Sequence, residues 1–497
     1  MARPPALIEH LYRRAGFGLS STEREPFLPI PSPGRPRAGS YRELVDSLLV
    51  FDPASADVDR FIGTPGYVGI TTTAAFTPNT DINHARQRWL FRMVHTPAPL
   101  QERMALIWHH HFATAYSKVA DAYGGPDATR LMAAKPSEDP AGQRGQIELF
   151  RDHGLGSFRD LLVAVAMDPA MLVWLDGRTN TKARPQENFA RELMELFTFG
   201  VDQFTEPDVY AAARVFTGWN LRVAGARDSG RASYTFFYNA AQHDTGAKAF
   251  SFSIPGQAST SANQIPARSA ADGLQDGLDL INALAVHPVT AARLARRLWT
   301  WFVSETEAVP ESFVNSIAAT YLANGTRIRP VMRALFLSPE FQDARVFHRR
   351  YAWPVEFVVR LLKEVGFRGF SVADALTPLR NMGLQLFEPL DVNGWDLGPA
   401  WFTTGGMLAR MNFASQLVTN QRVAIRDRAR PFGASPETLV GFVYDTLSLP
   451  APDREVLDAL SGYVRSGSAW TGSDVQVLAK AAGLVHLAGA SGPYQFV

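Results

Sequence analysis

The chain has 497 residues, 49 basic against 48 acidic side chains, a formal net charge of +1 and no cysteine. That length can bury a large core, and the even charge gives no electrostatic footing for nucleic acid or an anionic membrane. The lack of cysteine excludes disulfides, thiolate metal sites and cysteine nucleophiles. No apolar run approaches the roughly 18 residues of a membrane span. The opening MARPPALIEHLYRRAGFG holds no long apolar stretch of the signal-peptide kind, so the expectation is a cytoplasmic chain, or an exported one if a leader was removed.

In chain order, apolar residues at helical spacing predict helices over 41–50, 82–95, 99–117, 143–153, 157–167, 187–199 and 206–217. The pattern continues over 273–286, 288–303, 311–322, 328–337, 353–365, 406–422, 436–447, 453–465 and 473–488. Thr205-Glu206-Pro207-Asp208 supplies an N-cap, a proline in the first turn and an acid at N3, and His287-Pro288 and Thr96-Pro97-Ala98-Pro99 mark further helix starts. Strand signals are few. Tyr234–Tyr238 and Ala247–Phe252 could flank the turn-rich AAQHDTG segment as a hairpin. Segments 22–40 and 253–272 read as loops. The expected architecture is mainly α, with a large helical domain over 1–430, a small β-hairpin excursion, and a C-terminal helical lobe over 431–497 packed on it.

The most unusual segment is Glu187-Asn188-Phe189-Ala190-Arg191-Glu192-Leu193-Met194-Glu195. On a helix, Asn188, Arg191, Glu192 and Glu195 fall within an arc of roughly 100°, and apolar residues occupy most of the rest. A surface helix has the opposite proportions, so this one is expected to be buried, with its polar stripe facing an internal site. Glu192 and Glu195 at i, i+3 can converge on one point, as carboxylates do in metal-binding bundles. The same residues also suit a buried ion-pair network in which Arg191 neutralises Glu187 and Glu195.

Three of the eleven histidines form Trp108-His109-His110-His111-Phe112. Neutral imidazole is a common metal ligand, but i and i+2 point about 200° apart on a helix, so His109 and His111 cannot face one site unless the helix breaks. His243-Asp244-Thr245-Gly246-Ala247-Lys248 could ligate a metal or hold an anion, or Asp244 could simply bond turn amides. Walker and dinucleotide loops, a G-x-S-x-G elbow and an H-E-x-x-H pair are all missing from the sequence.

Several ordered blocks together resemble the bacterial family catalogued as domain of unknown function 1800. They begin with His10-Leu11…Arg13-Arg14-Ala15-Gly16-Phe17-Gly18, Trp108-His109…His111-Phe112, the 187–197 run and Ala212…Thr217-Gly218-Trp219. They continue with His243–Gly246, His287-Pro288…Leu294-Ala295-Arg296…Leu298-Trp299, Leu337–Phe341, Asn393-Gly394-Trp395…Ala400-Trp401 and Leu408–Asn412. The resemblance spans most of the chain. It implies a mostly helical fold and brings no catalytic residue, because the family's function is not established. The family pattern resembles W-H-N-H-F; here His110 takes the middle position, which favours His109 and His111 as site candidates.

The leading expectation is a metal-dependent enzyme, hydrolytic in type, with its site between the 99–117 helix, the 187–199 helix and the 243–248 loop. His109, His111, Glu192, Glu195, His243 and Asp244 would be the ligands of a Zn, Fe, Mn or Cu ion. Glu192, Glu195, Arg191 and Asp244 would carry the catalytic roles. The alternatives are a di-metal oxidoreductase in a helical bundle and a non-catalytic structural or assembly protein. No nucleic-acid partner and no membrane span are expected.

Overall fold

A computed structural model describes residues 5–28, 39–50, 57–256, 262–367, 369–419 and 423–497. The molecule is 60 % helical and 6 % strand, so the mainly α expectation holds. Among the described residues, no helix is long and apolar enough to cross a membrane.

Two helices are buried along their whole length, Pro99–His111 and Pro354–Val365. Each starts with proline in the first turn, where its fixed φ suits the helix and its missing N–H costs nothing. Each is ringed by other helices. Ala6–Ala15, Ile82–His95 and Gln146–His153 pack on the first, and Ile82–His95, Ala373–Asn381 and Thr404–Thr419 on the second. A helix wrapped on every side must be apolar nearly all round, and its polar residues then need internal partners.

Those partners are the buried guanidinium groups. Arg103 donates to the Trp301 carbonyl (3.3 Å) and is ion-paired with Glu356, which also pairs with Arg350. Arg14 donates to the carbonyls of Val303 and Val346, both at 2.9 Å. Arg360 donates to Leu447 (2.9 Å), Tyr494 (3.4 Å) and Phe496 (3.1 Å), while its Nε meets Glu364 at 3.2 Å. Arg410 donates to the Ala352 carbonyl at 2.7 Å and to Gln495 at 3.2 Å. The C-terminal segment is thereby tied to the middle of the chain, where Phe496 also bridges Tyr351. Asp474–Gly489 packs on Thr404–Thr419 and Ile425–Ala429.

Most predicted helices appear within a few residues of their expected ends, and the capping box at Thr205–Asp208 and the His287 N-cap both form. Two expectations need correction. The 99–117 helix stops at His111, because Phe112 leaves helical geometry (φ −104, ψ 50). Tyr116 then donates its N–H to the Phe387 carbonyl (2.8 Å), and new helices run over Tyr116–Tyr123 and Gly125–Ala133. The apolar pattern continues across this break, so periodicity alone cannot reveal it. The single hairpin is also replaced. Ser233–Tyr238 pairs antiparallel with Trp219–Ala224, and Lys248–Ala249 pairs with Gln264–Ile265. Residues 239–247 cannot act as a hairpin turn because His243 and Asp244 are pulled inward by Thr217. Of the expected loops, 22–40 holds a short helix, Ser21–Arg24, and residues 29–38 and 257–261 lie outside the described residues.

Arg360→Met should cost about 3–5 kcal/mol, because it removes three bonds to the C-terminal segment and one buried partner of Glu364. A urea midpoint within error of the wild type would refute this account of the chain ends.

Candidate functional site

The site is built at the C-terminal end of Pro99–His111, where three other segments meet it. The first is the 187–199 run. It forms an α-helix over Asn188–Glu192 and then widens into a π-helix over Leu193–Thr198. Phe189, Leu193 and Phe197 are buried as expected. The polar stripe, however, faces outward: Glu187 and Asn188 are exposed, and Arg191, Glu192 and Glu195 are half-buried. Π-turns are uncommon and often mark functional positions. Here the Thr198 hydroxyl bonds the Leu193 carbonyl at 2.6 Å, while the late carbonyls of Leu196 and Phe197 accept from outside the turn.

The second segment is the Pro288–Phe302 helix. Arg293 donates to Leu196 O at 2.8 Å, and Arg297 Nη1 lies 2.9 Å from His111 Nδ1. A guanidinium can only donate, so Nδ1 of His111 is the acceptor. Its Nε2 must then carry the proton and donate to Phe197 O at 3.1 Å. Burial, and next the Arg297 charge, hold the His111 pKa well below its usual value, so the ring stays neutral. Burial pushes Arg297 down to about 9, with Arg293 adding to the effect, which leaves it charged at neutral pH.

The third segment is the turn from Asp391 to Trp395. Asp391 accepts from the backbone N–H groups of Asn393 (2.7 Å) and Gly394 (3.1 Å). Gly394 has φ +96 and lies against His110, whose Nδ1 accepts from Trp395 N at 3.1 Å. Any side chain at 394 would collide with the His110 ring, so glycine is required there twice over.

The resulting electrostatics are uneven. Burial pushes the Glu192 carboxyl up to about 7; Glu195 and then Asp391 add to the rise, and Arg191 opposes it. Among the described residues, neither Glu192 nor Glu195 has an ion-pair partner or accepts a hydrogen bond on its carboxylate. Arg191 bonds neither of them. Its guanidinium grips Glu206 at 2.7 and 2.8 Å and reaches Glu187 at 3.3 Å. The expected neutralisation of Glu195 by Arg191 is therefore absent, and Arg191 is a surface ion-pair residue outside the site.

The six-ligand metal set does not assemble. His109 is caged by Trp89, Phe150, Phe387 and Trp395, and burial drives its pKa down to about 3. Gln146 approaches the ring without completing a well-formed hydrogen bond. His243 is fully enclosed elsewhere, with Nδ1 at 2.9 Å from Thr217 O and Nε2 at 3.3 Å from Asp276. Asp276 also binds Lys248 (2.6 Å) and Arg268 (2.5 Å). Asp244 is held by Arg214 in a two-pronged pair at 2.8 and 3.0 Å. Among the described residues, no three His, Asp or Glu side chains are grouped to hold a metal ion. The physical reason is that His111, His243 and Asp244 each already have partners from other parts of the chain, while the surroundings of His109 are aromatic.

Of the predicted residues, then, Glu192 and Glu195 stay together, with Asp391 within electrostatic range of Glu192 and Arg293 of Glu195; among the described residues no hydrogen bond or ion pair joins His109, His111, Arg191, His243 or Asp244 to them. Sequence reasoning missed Arg293, Arg297 and Asp391. Arg293 and Arg297 stand at i, i+4 on one face of the Pro288–Phe302 helix, a legible hint that this face carries paired charge. Asp391 had no local signal.

The arrangement defines a mainly helical protein with a half-buried carboxylate pair, Glu192 and Glu195, at the junction of an α-helix and a π-turn. The chain belongs to the DUF1800 family, proteins of unknown function, whose profile matches residues 10–495. Searches of curated proteins and of solved structures find no match.

Two measurements check this geometry. The folded pKa of Glu192 is raised, so its protonated form is the favoured one. Stability from this group is complete below about pH 4 and is lost as pH rises through about 7. Glu192→Gln should therefore match the wild type at pH 4 and exceed it at pH 8, by about 1–2 kcal/mol after solvent screening. Equal stability at both pH values would contradict the raised pKa. His243→Phe should destabilise by about 1–3 kcal/mol through the buried Thr217 and Asp276 groups it leaves behind. That loss should be the same with and without a chelator in thermal melts.

Proposed function

We propose that the protein is a hydrolase working by acid–base chemistry between Glu192 and Glu195. The observation that carries this reading is the pair itself: two half-buried carboxylates without a bonded cation, one of them with its pKa pushed to about 7. Leaving acids in this state is costly in a purely structural helix, and perturbed carboxyl groups of this kind gather at reactive sites. A protonated Glu192 can give its proton to the oxygen of a leaving group. The neighbouring carboxylate of Glu195 can take a proton from the attacking water. A carboxylate pair can divide the acid and base roles in this way. Arg293, within electrostatic range of Glu195, offers N–H donors for negative charge that develops on the substrate.

The structural reading loses its main support because Arg191 is spent on Glu206 and Glu187. The metal-dependent forms, hydrolytic or oxidative, lack a histidine ligand beside the carboxylates, since His111 uses both ring nitrogens on Phe197 and Arg297. The hydrolytic step is accordingly written with protein groups alone.

The test is a panel of ester, glycoside and phosphoester substrates, run on wild type, Glu192→Gln and Glu195→Gln, each with and without chelator. Expected is turnover that falls as pH rises through about 7, when the general acid loses its proton. Each variant should lose about 10²–10⁴-fold in kcat. Turnover unchanged in both variants, or no hydrolysis of any of the three linkages, overturns the proposal. Loss on chelation with recovery on adding Zn or Mn would replace it with the metal-dependent reading.

A further inference from the structure

A second feature lies apart from the carboxylate pair. The first turns of Ile82–His95, the Ala373–Asn381 helix and the 384–386 segment enclose a cleft of ≈ 310 Å³. Arg86 and Arg380 both line it, with Asn83, Thr377 and Gln385.

Arg86 is only 8 % exposed and is fixed by neutral groups alone. Its Nε donates to Leu386 O and its Nη1 to Asn83 Oδ1, each at 2.9 Å. The Gln385 amide, oriented to satisfy both its ends, presents its oxygen to Nη2 at 2.6 Å and Nη1 at 3.2 Å. A guanidinium has five donors, so at least one N–H on Nη2 remains for a ligand. Arg380, on the exposed side of the same cleft, repels Arg86. Glu388, Tyr116 and Asp81 lie within electrostatic range of Arg86. Glu388 is engaged by the N–H and hydroxyl of Ser117, however, and Asp81 caps its own helix at Asn83 N and His84 N. Among the described residues, neither Arg86 nor Arg380 has an ion-pair partner. Two like charges on one cleft wall, one of them preorganised by neutral acceptors, form a site that an anion completes. Planar, forked donors suit carboxylate and phosphate oxygens best.

We propose that this cleft binds a small molecule through an oxyanion group, carboxylate or phosphate, held between the guanidinium groups of Arg86 and Arg380.

The probes are inorganic phosphate and succinate, followed by calorimetry and thermal melting of the full chain, with sodium chloride matched for ionic strength. At least one probe should bind and raise Tm beyond the chloride control. Phosphate alone, or succinate alone, would identify which oxyanion the cleft prefers and would support the proposal. Arg380→Gln alters an exposed side chain, so the fold should persist while affinity falls by about tenfold or more. An unchanged far-UV spectrum and chloride-only Tm would confirm that the fold persists. The proposal is overturned if neither anion exceeds chloride, or if Arg380→Gln binds both probes as tightly as the wild type.

Discussion

The rest of the structure depends on guanidinium groups buried beside backbone carbonyls. A helix enclosed on every side, such as Pro99–His111, can be held in one register only if something directional acts on it. Apolar contact resists slippage weakly, because hydrophobic surface is indifferent to small shifts. Arg103 supplies direction from within this helix, through Trp301 O and Glu356. Arg14, on the neighbouring Ala6–Ala15 helix, donates two residues further on, at Val303 O. These contacts fix Pro99–His111 against Pro288–Phe302. That relation in turn sets Arg297 within hydrogen-bonding distance of His111.

Two kinds of buried acid coexist in this protein, and the contrast explains where chemistry is to be sought. Asp276 is closed: His243, Lys248 and Arg268 surround its carboxylate, and its pKa is held below the ordinary value. Glu364 is similarly enclosed by Arg24, Arg360, Ser448 and Tyr494. Such networks contribute order and have no donor or acceptor to spare. Glu192 is the reverse, a carboxyl partly withdrawn from water and pressed by like charges, with its hydrogen-bonding capacity unspent. Closed groups read as architecture, and open ones as reactive.

The π-turn makes this openness possible. An α-helix continued through Leu193–Thr198 would carry its residues around at the ordinary 3.6-residue spacing. The wider turn keeps Leu193, Met194, Leu196 and Phe197 buried while Glu192 and Glu195 stay at the rim. Leu196 O and Phe197 O lie in the last turn, where helix carbonyls lack an internal partner, and Arg293 and His111 supply one.

The sequence by itself determined the helical class, the positions of most helices and their caps at Thr205 and His287, and it singled out the run that carries Glu192 and Glu195. All of these follow from periodicity, composition and cap chemistry, which act within a few residues along the chain. The tertiary structure alone decided which partner each charged or aromatic residue meets. Arg191 could have turned to Glu195, and it turned to Glu206. His243 could have faced the carboxylates, and it faces Asp276, 33 residues away in sequence. His109, His110 and His111 are adjacent in the chain, yet they end in an aromatic cage, against the Trp395 amide and beside Arg297 respectively. Successive residues on a helix point about 100° apart, so neighbours in sequence are sent to different surroundings. What waits in each direction is set by other segments, from 15 residues away for Arg191 to 285 for His110, and no local pattern encodes it.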